Sequence, residues 1–264
     1  MNERLVRKAL SGLPLGGLRY YEQTGSTNDV ALAWATSGAT DLALVFAEQQ
    51  TAGRGRGKRS WFTPSGAALA FSLVLRPKPG EEQSITRFSG LGALAVCEAL
   101  VEKGLQPEIK WPNDVLLGRR KVCGILVESV WTGDSLDSVV LGVGINVKPE
   151  ALPPADQLTF PGTCLEEELP SSPHPIPVDR PALLRQILQG VLNWRGQLAT
   201  EKFLQAWETR LAFRGEQVEI WSDEQAARIG QVTGLETDGS LRLLSSQGDY
   251  FTAQFGEVHL RPVV

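Results

Sequence analysis

Histidine is almost missing from this chain of 264 residues: His174 and His259 are the only two. One follows a proline in a Pro-rich stretch and the other lies near the end of a strand-like tail. Neither a His-based triad nor a His-rich metal site is expected, so acid–base or electrostatic chemistry falls to Lys, Arg, Asp and Glu. Cysteine is scarce too. Cys97, Cys123 and Cys164 are far apart, odd in number and never in a C-x-x-C pair, which argues against a disulfide frame or structural zinc and fits a reducing cytoplasm. The N-terminus lacks a hydrophobic core of signal-peptide length and no later run approaches a membrane span, so a soluble protein with no membrane partner is expected. Positive charge is not in surplus, since 26 Lys and Arg face 30 Asp and Glu for a formal net charge of -4. Nucleic-acid binders tend to be basic, so no nucleic-acid partner is expected. The sequence holds no internal repeat and no coiled coil.

Against this background one basic stretch stands apart. Gly53 to Trp61 reads Gly-Arg-Gly-Arg-Gly-Lys-Arg-Ser-Trp, with Arg54, Arg56, Lys58 and Arg59 set among three glycines. Basic clusters are usually solvated faces. Three glycines in five residues are nevertheless costly to order, and they let backbone N–H groups approach an anion. The stretch therefore reads as a loop for phosphate or carboxylate, and with the acidic net charge it points to a small anionic ligand.

The rest of the chain supplies a scaffold. Residues 3 to 10 are helix-like up to Gly12, and Gly25-Ser26-Thr27-Asn28-Asp29 can cap a helix through Thr36. Too little sequence precedes residue 24 for a helix-turn-helix domain. Leu42 to Ala47 reads as a strand feeding the glycine-arginine loop, and Ala67 to Leu75 as a central strand apolar on both faces. Ile85, Phe88, Gly92, Ala95 and Ala99 fall at helical spacing, with Gly104 as terminator and a close-packed face. Lys110-Trp111-Pro112-Asn113-Asp114 gathers polar groups at a strand end, as a ligand pocket requires. Gly118-Arg119-Arg120 is a turn leading into a strand from Lys121 to Glu128, which makes a hairpin. Val139 to Val147 is a buried strand whose Gly142 and Gly144 permit close approach of a ligand or neighbouring backbone. Pro149 to Pro177 reads as an exposed connection with a short helical turn near Thr163 to Leu169. Two amphipathic helices follow, opened by Asp179-Pro181 and by Thr200. Past Phe213, short strands at Gln217–Trp221, Ala227–Leu235, Leu241–Leu244 and Tyr250–Leu260, separated by turn signals, mark a small all-β barrel.

Several of these segments together resemble the biotin protein ligase family: Ser26-Thr27-Asn28, Gln50 with Gly53-Arg54-Gly55-Arg56 and Trp61, Lys110 to Asp114, Lys121 with Gly124 to Glu128, and Gly142 to Asn146. Each motif alone is weak, whereas the ordered set is specific. The resemblance implies an α+β fold, with a mixed-sheet catalytic domain like that of class II aminoacyl-tRNA synthetases and biotinyl-lipoyl ligases at residues 1–213 and an SH3-like barrel at 214–264. It implies that biotin and ATP form biotinyl-5′-AMP with release of pyrophosphate, and that a lysine of a biotin carboxyl carrier protein, a subunit of acetyl-CoA carboxylase, then takes the biotin. Lys121 and Arg56 would be catalytic. Ser26, Thr27, Asn28, Gln50, Gly53, Arg54, Gly55, Arg56, Lys121 and Gly124 would bind biotin. Arg54, Arg56, Trp61, Lys110, Asn113, Asp114 and Asn146 would bind the nucleotide, with Trp61 as an apolar lid and Asp114 as a ligand of Mg²⁺. Two anions must meet before any bond forms, and cations lower the cost of bringing them together.

Two departures from the family pattern are visible. The loop runs Gly57-Lys58-Arg59 where family members commonly have Arg-Gly-Arg, and the short N-terminus looks like the monofunctional type without a DNA-binding domain. Family members often pair edge strands into homodimers, and no motif here decides that state. The rival readings are a lipoate or octanoate ligase or transferase of the same superfold, which would carry a histidine after a different glycine-rich signature, and a biotin-sensing regulator, which would need a DNA-binding element.

Overall fold

The computed structural model describes residues 1–57, 59–154, 156, 158, 160–169, 177–222, 225–254 and 258–263. Lys58, His174 and the side chain of His259 lie outside the described residues. The chain forms α1 (Glu3–Ala9), β1 (Gly17–Thr24), α2 (Thr27–Thr36), β2 (Ala43–Gln50), β3 (Ala68–Leu75), α3 (Arg87–Val101), β4 (Pro107–Lys110), β5 (Asp114–Leu117), β6 (Arg120–Thr132) and β7 (Ser135–Asn146). After these come α4 (Leu165–Glu168), α5 (Arg180–Arg195), α6 (Glu201–Thr209), β8 (Gln217–Ser222), β9 (Gln225–Leu235), β10 (Leu241–Leu244), β11 (Tyr250–Ala253) and β12 (Val258–Pro262).

Seven strands make one sheet in the order β1-β2-β3-β7-β6-β5-β4. Only β1 and β2 run parallel, so the sheet is mixed as expected. β3 is buried along its whole length, which is why its sequence shows no polar alternation. On β2 the two faces separate by residue parity. Leu44 and Phe46 join the large core beneath α3, while Ala43 and Val45 pack with Ala31 and Ala35 of α2. Small residues set the helix spacing: a Cβ on Gly92 of α3 would lie 2.9 Å from Leu141 and 3.1 Å from Ile125, and one on Gly90 would run into the Trp207 ring of α6. Asp179 and Thr200 cap α5 and α6 by accepting from the N–H groups of Ala182 and Phe203.

β1 has no counterpart in the sequence reading. Its eight residues include no fully buried one, so the alternation of a strand is weak; pairing with β2 and the packing of Leu18 and Tyr20 on the core hold it at the sheet edge. The connection after Asn146 also differs from expectation. Ala151, Thr163, Cys164 and Leu165 are buried, and the segment pairs with the start of β6 through Lys121 N–H to Pro161 O and Thr163 N–H to Lys121 O. Proline and acidic residues suggested exposure, but their apolar neighbours fill the sheet's end.

The C-terminal strands form a second, all-antiparallel sheet in the order β11-β10-β9-β8-β12. The single strand expected over Tyr250–Leu260 is two, pairing with β10 and β8 at opposite edges. The β9–β10 turn docks on the first sheet's helical layer. Trp111 Nε1 donates to Gly239 O at 3.0 Å, Arg87 donates to Thr237 O and Leu198 O, and Thr86 donates to Asp238 O.

Candidate functional site

A cavity of ≈ 880 Å³ opens where the ends of β2, β6 and β7 meet the N-terminus of α2, the glycine-arginine loop and the Lys110–Asp114 turn. Every site residue expected from the sequence lines it: Ser26, Thr27, Asn28, Gln50, Gly53, Arg54, Gly55, Arg56, Trp61, Lys110, Asn113, Asp114, Lys121, Gly124 and Asn146. The sequence reading left out Phe160 from the connection and Trp221, Leu260 and Arg261 from the second sheet, which wall the same cavity. They come from segments with no motif, and only the fold brings them in.

One end of the cavity is polar and uncharged. Ser26 stands at the N-cap position of α2 without capping the helix through its side chain. Gln50, the last residue of β2, accepts at Oε1 from the Thr27 N–H at 2.8 Å and the Thr27 hydroxyl at 3.1 Å, and its Nε2 donates to Thr63 Oγ1 at 3.0 Å. Ser72 donates to Asn28 Oδ1 at 2.6 Å and lies 2.8 Å from Thr27 Oγ1. Gly142 has to lack a side chain, because a Cβ there would collide with Asn28 Oδ1.

The glycine-arginine loop is a tight hairpin. Trp61 N–H donates to Gly53 O at 2.8 Å and Gly55 N–H to Arg59 O at 2.7 Å. A Cβ on Gly53 would strike the Trp61 carbonyl, and Gly57 has φ +58, so glycine is needed at both for the turn itself. The Gly55 amide thus serves the hairpin, and the cations the loop offers are its side chains. Arg56 Nη1 donates to Asn113 Oδ1 at 3.0 Å, and Asn113 Nδ2 to Ile125 O at 2.7 Å. Arg54 lines the cavity and is also engaged by carboxylates. Its guanidinium grips both oxygens of Glu128, at 2.9 and 2.6 Å, and approaches Asp29 Oδ1 at 2.8 Å. Burial lowers its pKa, but these partners outweigh burial and raise it.

At the other end the charges alternate in sign. Asp114 lies between two ammoniums, Lys121 Nζ at 2.6 Å from Oδ1 and Lys110 Nζ at 3.7 Å from Oδ2. Burial pushes the Asp114 pKa up, yet Lys121 and then Lys110 outweigh it and hold the carboxyl below its ordinary value. Burial lowers the pKa of Lys110, and Asp114 offsets this only in part. Lys110 also sits 4.8 Å above the Phe160 ring. These surroundings do not fit Asp114 as a metal ligand, since both its oxygens face lysines. Among the described residues no cluster of three or more His, Cys, Asp or Glu could hold a metal ion.

Trp61, expected as an apolar lid, lines the cavity. Its indole lies on the strands, packed where side chains at Gly124 and Gly144 would be, and 5.3 Å from Lys121 Nζ. Its Nε1 is buried and makes no hydrogen bond among the described residues. Asn146, at the end of β7, donates from Nδ2 to Thr163 O at 3.1 Å. Cys123 lies close by but is fully buried, and burial drives its thiol well above the ordinary range, so it is no nucleophile.

Known proteins resemble this chain in sequence and in fold. Residues 20–146 match the Biotin/lipoate A/B protein ligase family. The chain is 35% identical over 241 residues to the biotin--[acetyl-CoA-carboxylase] ligase of Paracoccus denitrificans, covering 86% of this chain and 93% of that one. It is 30% identical to the bifunctional ligase/repressor BirA of Bacillus subtilis, over 94% of this chain and 76% of BirA. A solved structure of the Aquifex aeolicus biotin protein ligase in complex with biotin and ATP superposes with a TM-score of 0.79 at 27% identity, covering 94% of this chain and 99% of that one. The chain belongs to the biotin protein ligases of the Biotin/lipoate A/B protein ligase family.

Proposed function

We infer that the protein activates biotin with ATP and transfers it to a lysine of a biotin carrier domain. The observation that carries this reading is the division of a single cavity into an uncharged hydrogen-bonding end, around Thr27 and Gln50, and a cationic end, around Lys121, Lys110 and Arg56. The ureido ring of biotin is neutral and both donates and accepts, as hydroxyl and amide side chains do. Its carboxylate would then extend toward the cations. There a carboxylate oxygen attacks the α-phosphorus of ATP, the bond to the β-phosphate oxygen breaks, and pyrophosphate leaves. In the second step the carrier lysine attacks the acyl carbon as a free amine, AMP departs, and the proton lost from the amine passes to solvent.

Lys121 lies where it can neutralise the carboxylate and α-phosphate oxygens as negative charge builds on them, with Asp114 fixing its position. Arg56, braced by Asn113, supports the same phosphate from the loop. Arg54 holds the loop rather than the ligand. Trp61 must leave its place on Gly124 and Gly144 wherever the ligand covers those glycines. Any Mg²⁺ enters with the phosphates of ATP, as that ion commonly does; no step here depends on a protein-held ion.

The same reading divides the chain into a catalytic domain, residues 1–213, and a C-terminal module, 214–264. The change of sheet and the positive φ of Phe213 (+63°) support that boundary. It places the protein in the cytoplasm, which three buried free cysteines suit; among the described residues no helix is long and apolar enough to span a membrane. The homodimer implied by the family belongs to this proposal as well. The test is to incubate the protein with biotin, ATP and a purified biotin carrier domain and to read the domain's mass. A biotinyl adduct on one lysine is expected. No adduct, or one formed as readily with lipoate, would overturn the reading.

A further inference from the structure

Glu128 closes the strand segment Gly124 to Glu128, and the reaction just described gives it no task. It does not line the substrate cavity. It faces a second cleft of ≈ 800 Å³ behind the glycine-arginine loop, shared with Asp29 and Arg54. Its carboxylate has three partners: Arg54 Nη1, Arg54 Nη2 and Asn28 Nδ2, the last at 2.8 Å from Oε2. Asn28 is 3% exposed, is held at Oδ1 by Ser72, and packs on Gly142. Ser72 touches Thr27, which bonds Gln50. An unbroken chain of polar contacts therefore runs from the uncharged end of the cavity, through Asn28 and Glu128, to the loop that carries Arg56.

We propose that Glu128 is a positioning residue for the reaction: its carboxylate latches Arg54 to Asn28 and so holds the glycine-arginine loop over the bound adenylate. This rests on the functional reading above. Its own hairpin bonds, the packing of Trp61 and the bond from Arg56 to Asn113 also fasten the loop, and Arg56 is the group expected to serve the phosphate. A bidentate carboxylate–guanidinium pair is the kind of bond that fixes direction as well as distance. Asp29 adds charge at 2.8 Å from Arg54 Nη2, but it is largely exposed, with 58% of its side chain accessible. Glu128 is the acceptor that joins loop and pocket floor.

The test uses the full-length protein loaded with biotin and ATP. The rate at which biotinyl-AMP escapes is measured for the parent, Glu128→Gln, Glu128→Ala, Arg54→Ala and the double Arg54→Ala/Glu128→Ala variant. Loss of one or two charge-assisted bonds is expected to speed escape about tenfold to a hundredfold, with pyrophosphate exchange at saturating substrates changed by less than about threefold in Glu128→Gln and Glu128→Ala. The double variant should escape no faster than Arg54→Ala, because each residue acts through the other. Cleavage of the unliganded protein by trypsin at Arg54 and Arg56 gives an independent readout. It should be faster in Glu128→Gln, with the thermal midpoint close to the parent's. Parent-like escape from Glu128→Ala, or additive effects in the double variant, would overturn the latch and leave the ligase reading standing. Failure of the parent itself to form biotinyl-AMP would overturn the ligase reading, and the latch with it.

Discussion

Asp114 is the single residue on which the cationic end of the cavity depends. Replacing it with asparagine leaves the ammoniums of Lys110 and Lys121, whose side chains are 12% and 26% exposed, without their shared counter-charge. Breaking a buried ion pair from one side costs about 3 kcal/mol, and chemical denaturation of Asp114→Asn at neutral pH is expected to show a loss of that order. The pH dependence has a defined sign. The folded pKa of Asp114 lies below its ordinary value, so its contribution is present above the ordinary carboxylate pKa and lost as pH falls through the depressed one. The stability gap between parent and variant should stay level from neutral pH to about pH 5 and close only below about pH 4. A gap that narrows between pH 7 and 6 would contradict this. For Lys121→Ala, loss of one aimed cation is expected to slow adenylation about a hundredfold at saturating substrates, measured by single turnover. Arg56→Ala should release biotinyl-AMP faster than the parent; unchanged release would remove Arg56 from the phosphate.

At the scale of elements, legibility followed burial and backbone constraint. β2, β3 and β7 were readable because their apolar runs are buried on both faces, and α3 because its glycines and alanines sit at helical spacing against the sheet and α5. The site motifs were readable as residue types; their geometry was not. The glycines of the loop were read as openings for an anion, whereas Gly53 and Gly57 shape a hairpin and Gly55 gives its amide to Arg59. Arg54 was read as a ligand contact, and its engagement with Glu128, which lies 74 residues away, leaves no local trace. β1 escaped notice because an edge strand without fully buried residues has only a weak periodic signal. Gly142 tests how closely β7 and α2 must approach: Gly142→Ala forces a methyl onto Asn28 Oδ1 and should raise the KM for biotin much more than that for ATP. An unchanged KM for biotin would separate Asn28 from the head-group end.

For the whole molecule, the second sheet is part of the site as well as a neighbour to it. Its β9–β10 turn presents three successive carbonyls, Thr237, Asp238 and Gly239, to Arg87, Thr86 and Trp111. Trp111 is buried and adjoins the Asn113–Asp114 turn, so the docking of the C-terminal sheet and the position of the cationic end are coupled through one indole. Trp111→Phe keeps most of the packing and removes the N–H. A cost of about 1–2 kcal/mol is expected in equilibrium unfolding, with adenylation weakened alongside; full activity in that variant would show that the two sheets are independent. The central claim is that the uncharged and cationic ends of one cavity select biotin and join it to AMP. Its most direct measurement is exchange of labelled pyrophosphate into ATP with biotin, lipoate or octanoate present in turn. The account predicts exchange with biotin and only background with the other two; exchange supported by lipoate and not by biotin would contradict it.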